Sequence, residues 1–327
     1  MIQLEQFDYD AHQLTAVRVK ALYPPVCVDV DLYLPSTQNH KPRLYSVAGT
    51  PPTAYDLDRL MQSGRTTLYV PYDQMTHFRE QLQALASSGI AMPPQVRLDV
   101  AREAVKEDFS RAWQSRRPDS LIRHAADFSQ QVVDVCHDRE EMTSILASLA
   151  AHDGDTFAHI SNVCIYAVML ARALGVEREA ELLEVGQAAL LHDVGKRSIR
   201  PDILKKPGSL TPAEREAIND HPRLGFEELC LLPGLSRAQL LTVYQHHERR
   251  DGSGYPVRLL GDDINWMAQL VAVVDVFDAL TARRRYRQPV AAENAIEFVR
   301  RGSGKHFSPE YVECWTELVN GAAIPSV

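Results

Sequence analysis

After the Pro93-Pro94 pair the sequence largely stops offering strands, and this change of period most constrains what the chain can fold into. From Val100 to Ser115, Leu121 to Cys136 and Glu140 to Ala151, apolar residues recur at helical spacing, and from Thr156 onward almost every segment reads as helix. The punctuation agrees. Thr211-Pro212-Ala213-Glu214 and Ser236-Arg237-Ala238-Gln239 read as capping boxes, and Ser308-Pro309 as a cap followed by proline in the first turn. Before the break the periods are mixed. Val26 to Leu34 alternates apolar and polar as a half-buried strand should, and Arg43 to Ala48 and Thr66 to Val70 read as two more strands. Helices are expected over Ala54 to Ser63, stopped by Gly64, and over about Gln74 to Ser87. The expected architecture is mainly α: a small α+β domain at 1–95, connecting helices at 96–151, and a helical domain at 152–327.

A chain of 327 residues with 45% hydrophobic residues has room for about two domains with real cores. No apolar run approaches the roughly 18 to 20 residues of a membrane span, and Met1 to Asp10 lacks the basic and apolar regions of a signal peptide, so a cytoplasmic location is expected. The five cysteines are odd in number and scattered without a CxxC pair, which fits reduced thiols better than a disulfide framework or a structural zinc site. A net charge of -8 argues against DNA or RNA as a partner, although a local basic cluster can still hold a phosphate. Residues 1–95 carry no cluster of acids, histidines or glycines that reads as a catalytic site. Their expected role is regulatory, sensing or dimerising.

Chemistry is concentrated in the helical region. Gln245 to Pro256, QHHERRDGSGYP, joins two adjacent histidines to a glycine-rich turn, where Gly252 and Gly254 are expected to take positive φ. Neighbours on a helix point about 100° apart, so His246 and His247 cannot share one slot and each needs a polar partner. Two neighbouring metal ions would supply both; a solvated pair at a helix end is the alternative. Further ligands recur on other helices: His159, His192-Asp193, His221 and Asp275. His192-Asp193 closes a helix running from about Glu177, just before Gly195, a residue suited to a left-handed cap. Asp275 sits in the apolar run LVAVVDVF, where an unpaired carboxylate is costly to bury. Imidazole and carboxylate without thiolate suit manganese, iron, zinc, cobalt or nickel. Two divalent ions against the two carboxylates leave a positive surplus, suited to a bridging hydroxide and a phosphodiester anion. Such ions, roughly 3.5 to 4 Å apart, stabilise both the attacking and the leaving oxygen of an in-line displacement.

His192-Asp193 followed by Val194-Gly195-Lys196, then His221-Pro222, then HHERRDGSGYP, then DVFDALT from Asp275, resembles the HD-GYP family of HD-domain phosphohydrolases over roughly His152 to Leu318. The resemblance implies an HD-type helical bundle with a GYP extension and a di- or trinuclear metal centre, with iron, manganese, zinc, cobalt or nickel as the candidate ions. It also implies hydrolysis of cyclic di-GMP to pGpG or GMP by a metal-bound hydroxide. Carried over, it assigns His159, His192, Asp193, His221, His246, His247 and Asp275 as ligands, with Asp193 the bridge. Asp155 falls where trinuclear members bind a third ion through glutamate; the residue is equally a good N-cap for the helix from Thr156. Lys196, Arg284 and Arg287 match the basic positions that contact substrate phosphate, and Lys196 also the donor of a proton to the leaving oxygen. Gly254, Tyr255 and Pro256 form a loop beside the site, facing guanine or a partner protein. Arg283 and Arg285 depart from the pattern, standing where an acidic residue and a proline are often found.

Glu248, Asp251 and Asp278 read as residues that orient ligands or close the turn. Gly302-Ser303-Gly304-Lys305 lacks the spacing of a phosphate loop and reads as a helix connector. The expected partners are cyclic di-GMP and a second copy or a signalling protein, met through the N-terminal domain or the GYP loop. The alternative to an enzyme is a cyclic-dinucleotide-binding effector or docking module with little or no turnover.

Overall fold

The computed structural model describes residues 9, 13–22, 28–34, 42–86, 90, 92–115, 118–137, 139–149, 156–282 and 288–322. The chain forms two compact units, Met1–Glu107 and Asp108–Val327.

In the first unit, β1 (Leu14–Arg18), β2 (Leu32–Leu34), β3 (Arg43–Ser46) and β4 (Thr67–Pro71) form an antiparallel sheet in the order β1-β4-β2-β3. Helix α1 (Ala54–Gln62) starts at Thr53, whose side chain and that of Asp56 complete a reciprocal capping box, and Gly64 ends it with φ +77°. Helix α2 (Met75–Ala86) contributes Phe78 and Leu82 to a core shared with Val17, Leu32, Leu57, Leu68 and Val70. The strand expected over Val26 to Leu34 joins the ladder only at its end. Val28 and Val30 are buried in alternation with exposed Asp29, but the backbone N–H of Asp29 donates to Gln81 Oε1 at 2.9 Å and that of Asp31 to Gln74 Oε1 at 2.7 Å. Side chains of and beside α2 thus take the bonds a neighbouring strand would have made. Strand β1 was not anticipated, because only Val17 in LTAVR is buried and the alternation is weak.

Helix α3 (Pro94–Ser115) begins in the first unit, where Val100 and Ala104 enter its core, and ends in the second. Its Glu103 is buried and accepts a long bond from the Arg18 N–H at 3.4 Å; burial pushes its carboxyl pKa up. A raised folded-state pKa lends stability below the unfolded value, lost as pH rises. Glu103→Gln is therefore expected to raise the thermal unfolding midpoint at pH 8, with the gain vanishing near pH 4. An equal shift at both pH values would show that the carboxylate is not penalised.

The second unit is helical. It continues through α4 (Pro118–Val135), α5 (Arg139–Leu149), α6 (Thr156–Ala173), α7 (Glu179–Leu191), α8 (Pro201–Leu204), α9 (Pro212–Asn219), α10 (His221–Leu229), α11 (Arg237–Gln245), α12 (Trp266–Thr281), α13 (Ala292–Arg301) and α14 (Pro309–Gly321). Helix α6 is the hub, packed by α4, α7, α12 and α14. It is long and apolar enough to cross a membrane by composition, but 78% of it is buried inside the protein, as a core helix should be. Around it Phe277 packs edge to face on Tyr166 and Trp315, and those two rings are tilted on each other, with centroids 5.3 to 5.8 Å apart. Both expected capping boxes, at Thr211 and Ser236, form. Ser308 precedes Pro309 at the start of α14 but makes no side-chain capping bond. Gly302 to Lys305 connects α13 to α14, as expected of a helix connector.

Candidate metal centre

The seven expected ligands converge from five segments. His159 projects from α6 and Asp275 from α12, while His192-Asp193, His221 and His246-His247 sit at the end of α7, the α9–α10 junction and the end of α11. Two groups result, Asp193 with His221, His246 and His247, and His159 with His192 and Asp275, the ligand atoms of each lying within 4.8 Å of one another. Asp193 stands between them. Its Oδ1 lies 3.2 Å from His221 Nε2 and 3.7 Å from His246 Nε2, and its Oδ2 lies 3.4 Å from His192 Nε2 and 3.8 Å from His159 Nε2. Asp275 Oδ1 closes the second group, 3.2 Å from His159 Nε2 and 3.9 Å from His192 Nε2.

Helix ends aim three of the rings. Nδ1 of His192 lies 2.7 Å from the Ala189 carbonyl, Nδ1 of His221 2.7 Å from Ile218 and Nδ1 of His246 3.0 Å from Val243. In each case a carbonyl three residues back takes the Nδ1 proton, which assigns the tautomer and leaves Nε2 as a bare acceptor facing inward. His159 is aimed by a side chain instead, with Nδ1 2.7 Å from Asp278 Oδ2, while Asn162 Nδ2 donates to Asp278 Oδ1 at 2.8 Å. Asp278 thus has the orienting role expected of it. Asn162 was not anticipated, although its place three residues after His159 puts both on one helix face. Asp278→Ala is expected to weaken manganese binding by about 10- to 100-fold, measured by calorimetric titration. Unchanged affinity would mean that Asp278 does not orient His159.

These residues fit divalent cations. His192 Nε2 and Asp193 Oδ1 are buried without a hydrogen-bond partner, and His221 Nε2 faces His246 Nε2 at 3.2 Å with both Nδ1 protons committed elsewhere. Acceptors turned on one another in a buried pocket are costly unless a cation lies among them. The C-terminal ends of α7 and α11, where His192 and His246 sit, add partial negative charge. Burial holds the His246 pKa down at about 4 and pushes that of His247 well below its usual range, so both rings are neutral, the ligand form. Burial also opposes charge on Asp193, but Lys196 and His192 outweigh it and keep the carboxyl well below the ordinary range. On His159 burial is likewise outweighed, by hydrogen bonds to Asp275 and Asp278, and its pKa rises to about 10. A cation must displace the proton on Nε2 there, so uptake weakens as pH is lowered.

Around the ligands, Lys196 donates to Asp193 Oδ2 at 2.5 Å, and 34% of its side chain is exposed. Tyr255 lies on the His247 ring, centroids 4.8 Å and planes 32° apart, and burial with the charges of Asp193 and Asp275 raises its hydroxyl pKa. The Tyr255–Pro256 peptide is cis. Glu248 folds the loop back, accepting from the N–H groups of Val257, Arg258 and Leu259 at 2.6, 3.0 and 3.0 Å, and Asp251 closes a turn on Ser253. Two glycine expectations need correction. Gly252 has the anticipated positive φ of +74°, but Gly254 does not; a Cβ there would lie 2.5 Å from Glu248 Cα. Gly195 is not a left-handed cap either, because the chain continues from Asp193 into a short 3-10 turn, Val194–Ser198. Asp155, Arg284 and Arg287 lie outside the described residues.

The family model described as the HD domain matches residues 136–311, more than half of the chain. The chain belongs to the HD domain family. This HD domain chain is similar to 3'3'-cGAMP-specific phosphodiesterase 2 of Vibrio cholerae, 38% identical over 58% of the chain and 37% of that protein. It is also similar to the cyclic di-GMP phosphodiesterase response regulator RpfG of Xanthomonas campestris, 37% identical over 57% of the chain and 48% of that protein. It therefore spans less than half the length of these two relatives. Among solved structures, an HDG"Y"P protein from Bdellovibrio bacteriovorus matches 94% of the chain and 100% of its own with a TM-score of 0.67 at 17% identity, which shows a common fold.

Proposed function

We propose that this HD domain chain hydrolyses a cyclic dinucleotide, cyclic di-GMP first, to the linear dinucleotide pGpG or on to GMP. The observation that carries the reading is the buried ring of mutually facing acceptors around Asp193, which suits a pair of divalent cations and little else. His159, His192 and Asp275 would hold one ion, His221, His246 and His247 the other, and Asp193 would serve both. Iron or manganese are the expected occupants. Such ions supply Lewis-acid stabilisation of a phosphodiester and lower the pKa of water to give a nucleophile at neutral pH.

The chain's own residues do the rest. Carbonyls at the helix ends and Asp278 hold the imidazoles in the ligating tautomer. Lys196, partly exposed beside Asp193, binds substrate phosphate and gives a proton to the leaving oxygen. Glu248 holds the loop that seats Tyr255 on His247. Arg284 and Arg287 grip phosphate, Asp155 binds a third ion, and residues 1–95 regulate turnover.

Likeness to a 3'3'-cGAMP-specific phosphodiesterase favours a second reading, in which the mixed cyclic dinucleotide is preferred. Anaerobic purification with elemental analysis, followed by competing cyclic di-GMP and 3'3'-cGAMP in one assay with product identification, separates them. Linear product with two or more ions per chain is expected. Metal-loaded protein that leaves both dinucleotides intact would sink the enzymatic reading, and tight binding without product would make the chain an effector.

A further inference from the structure

Helix α3 ends on the metal centre through one buried arginine. The last carbonyls of a helix have no partner within it. Those of Ala112 and Trp113, in the final turn of α3, accept from Arg197 Nη1 at 3.4 Å each. A guanidinium there also complements the negative end of the helix dipole. The other edge of the same guanidinium grips Glu228, with Nε donating to Oε2 at 3.0 Å and Nη2 pairing with Oε1. The Arg197 side chain is only 3% exposed. Arg197 lies in the turn that follows Asp193, and Glu228 lies on α10, whose first residue is His221. Independently, Phe109 of α3 packs on Phe157, in the same first turn of α6 as His159, at 5.4 Å between centroids. The last two turns of α3 therefore touch the elements that carry His159 and Asp193, and through Glu228 the one that carries His221.

We propose that Arg197 is a positioning residue that locks the C-terminal end of α3 to the Asp193 turn, so that the state of α3 and metal occupancy bias each other. A two-armed guanidinium fixes geometry as a single ammonium does not. Because coupling free energy is reciprocal, a cation that binds more tightly when the end of α3 is docked must in turn steady that end. The part of α3 before residue 108 belongs to the first unit, so a change there has a covalent path to this arginine. The inference rests on the metal-binding reading but not on catalysis.

The test uses the full chain, metal-free and loaded with manganese, with bound metal quantified and hydrogen exchange followed by mass spectrometry in peptides covering 108–115. In the wild type, manganese is expected to slow exchange there by at least about fivefold, the low end of ordinary coupling. Arg197→Met, and Arg197→Met with Glu228→Gln to neutralise the stranded carboxylate, should still bind manganese but lose that difference. Arg200→Met, at a side chain 75% exposed, should keep it. If Arg197→Met does not fold, Arg197→Lys serves, with the difference expected to fall by about half or more. No effect of manganese on 108–115 in loaded wild type, or the same effect in the Arg197 variants, overturns the proposal. Failure of the wild type to bind manganese would overturn the metal centre itself, whereas failure to hydrolyse cyclic dinucleotides leaves this test standing.

Discussion

Asp193→Asn is expected to cut the proposed metal-dependent hydrolysis of a cyclic dinucleotide by about a thousandfold and to lower metal content in both halves of the site. The side chain is 4% exposed, and each of its oxygens faces a different set of imidazoles. The amide keeps the shape but removes one of the two negative charges, Asp193 and Asp275, that the described ligand groups offer. At an effective dielectric near 20, a unit charge at about 4 Å is worth about 4 kcal/mol, and a loss of that size in the transition state is roughly a thousandfold in rate. Steady-state rates with elemental analysis on the same preparation check both parts. Near-normal rate and full metal content would remove Asp193 from its place between the two groups.

Gly195→Ala is expected to cost about 3 kcal/mol or more of stability, with loss of the His221 half of the site. A Cβ at this position would overlap the His221 carbonyl oxygen and lie 2.6 Å from the Gly225 nitrogen. Gly225 faces it, and a Cβ there would press Val194 and Val243 at 3.0 Å. The two glycines let the backbone after Asp193 lie directly on α10, and the neighbours that would have to yield are largely main chain. Thermal unfolding and metal content measure the effect. A variant destabilised by less than about 0.5 kcal/mol, with normal metal, would show that the turn can shift aside.

The convergence of these seven histidines and aspartates was legible in the sequence because residue types able to hold a metal are few and here recur at motif spacing. The orienting part of Asp278 was legible for the same reason, since it shares a helix face with Asp275. Arg197 and Asn162 were not, because their partners lie far along the chain or are main-chain carbonyls, which no side-chain pattern encodes. Gly195 was misread because a glycine after a helix commonly takes a left-handed cap, whereas close approach by α10, a tertiary fact, decides it here. The helices were found from periodicity and caps. The shortened β2 and the missed β1 reflect how far a strand depends on what pairs with it, and in the β2 region two glutamine side chains intervene.

The different ways in which the histidines are aimed give the site unequal freedom to diverge. His192, His221 and His246 take their orientation from peptide carbonyls, which any replacement of Ala189, Ile218 or Val243 leaves in place. His159 takes its orientation from Asp278 and Asn162, two side chains open to single-step substitution. Descendants of this chain can therefore reshape the His159 corner of the centre by side-chain change, while the orientation of His192, His221 and His246 is inherited with the backbone.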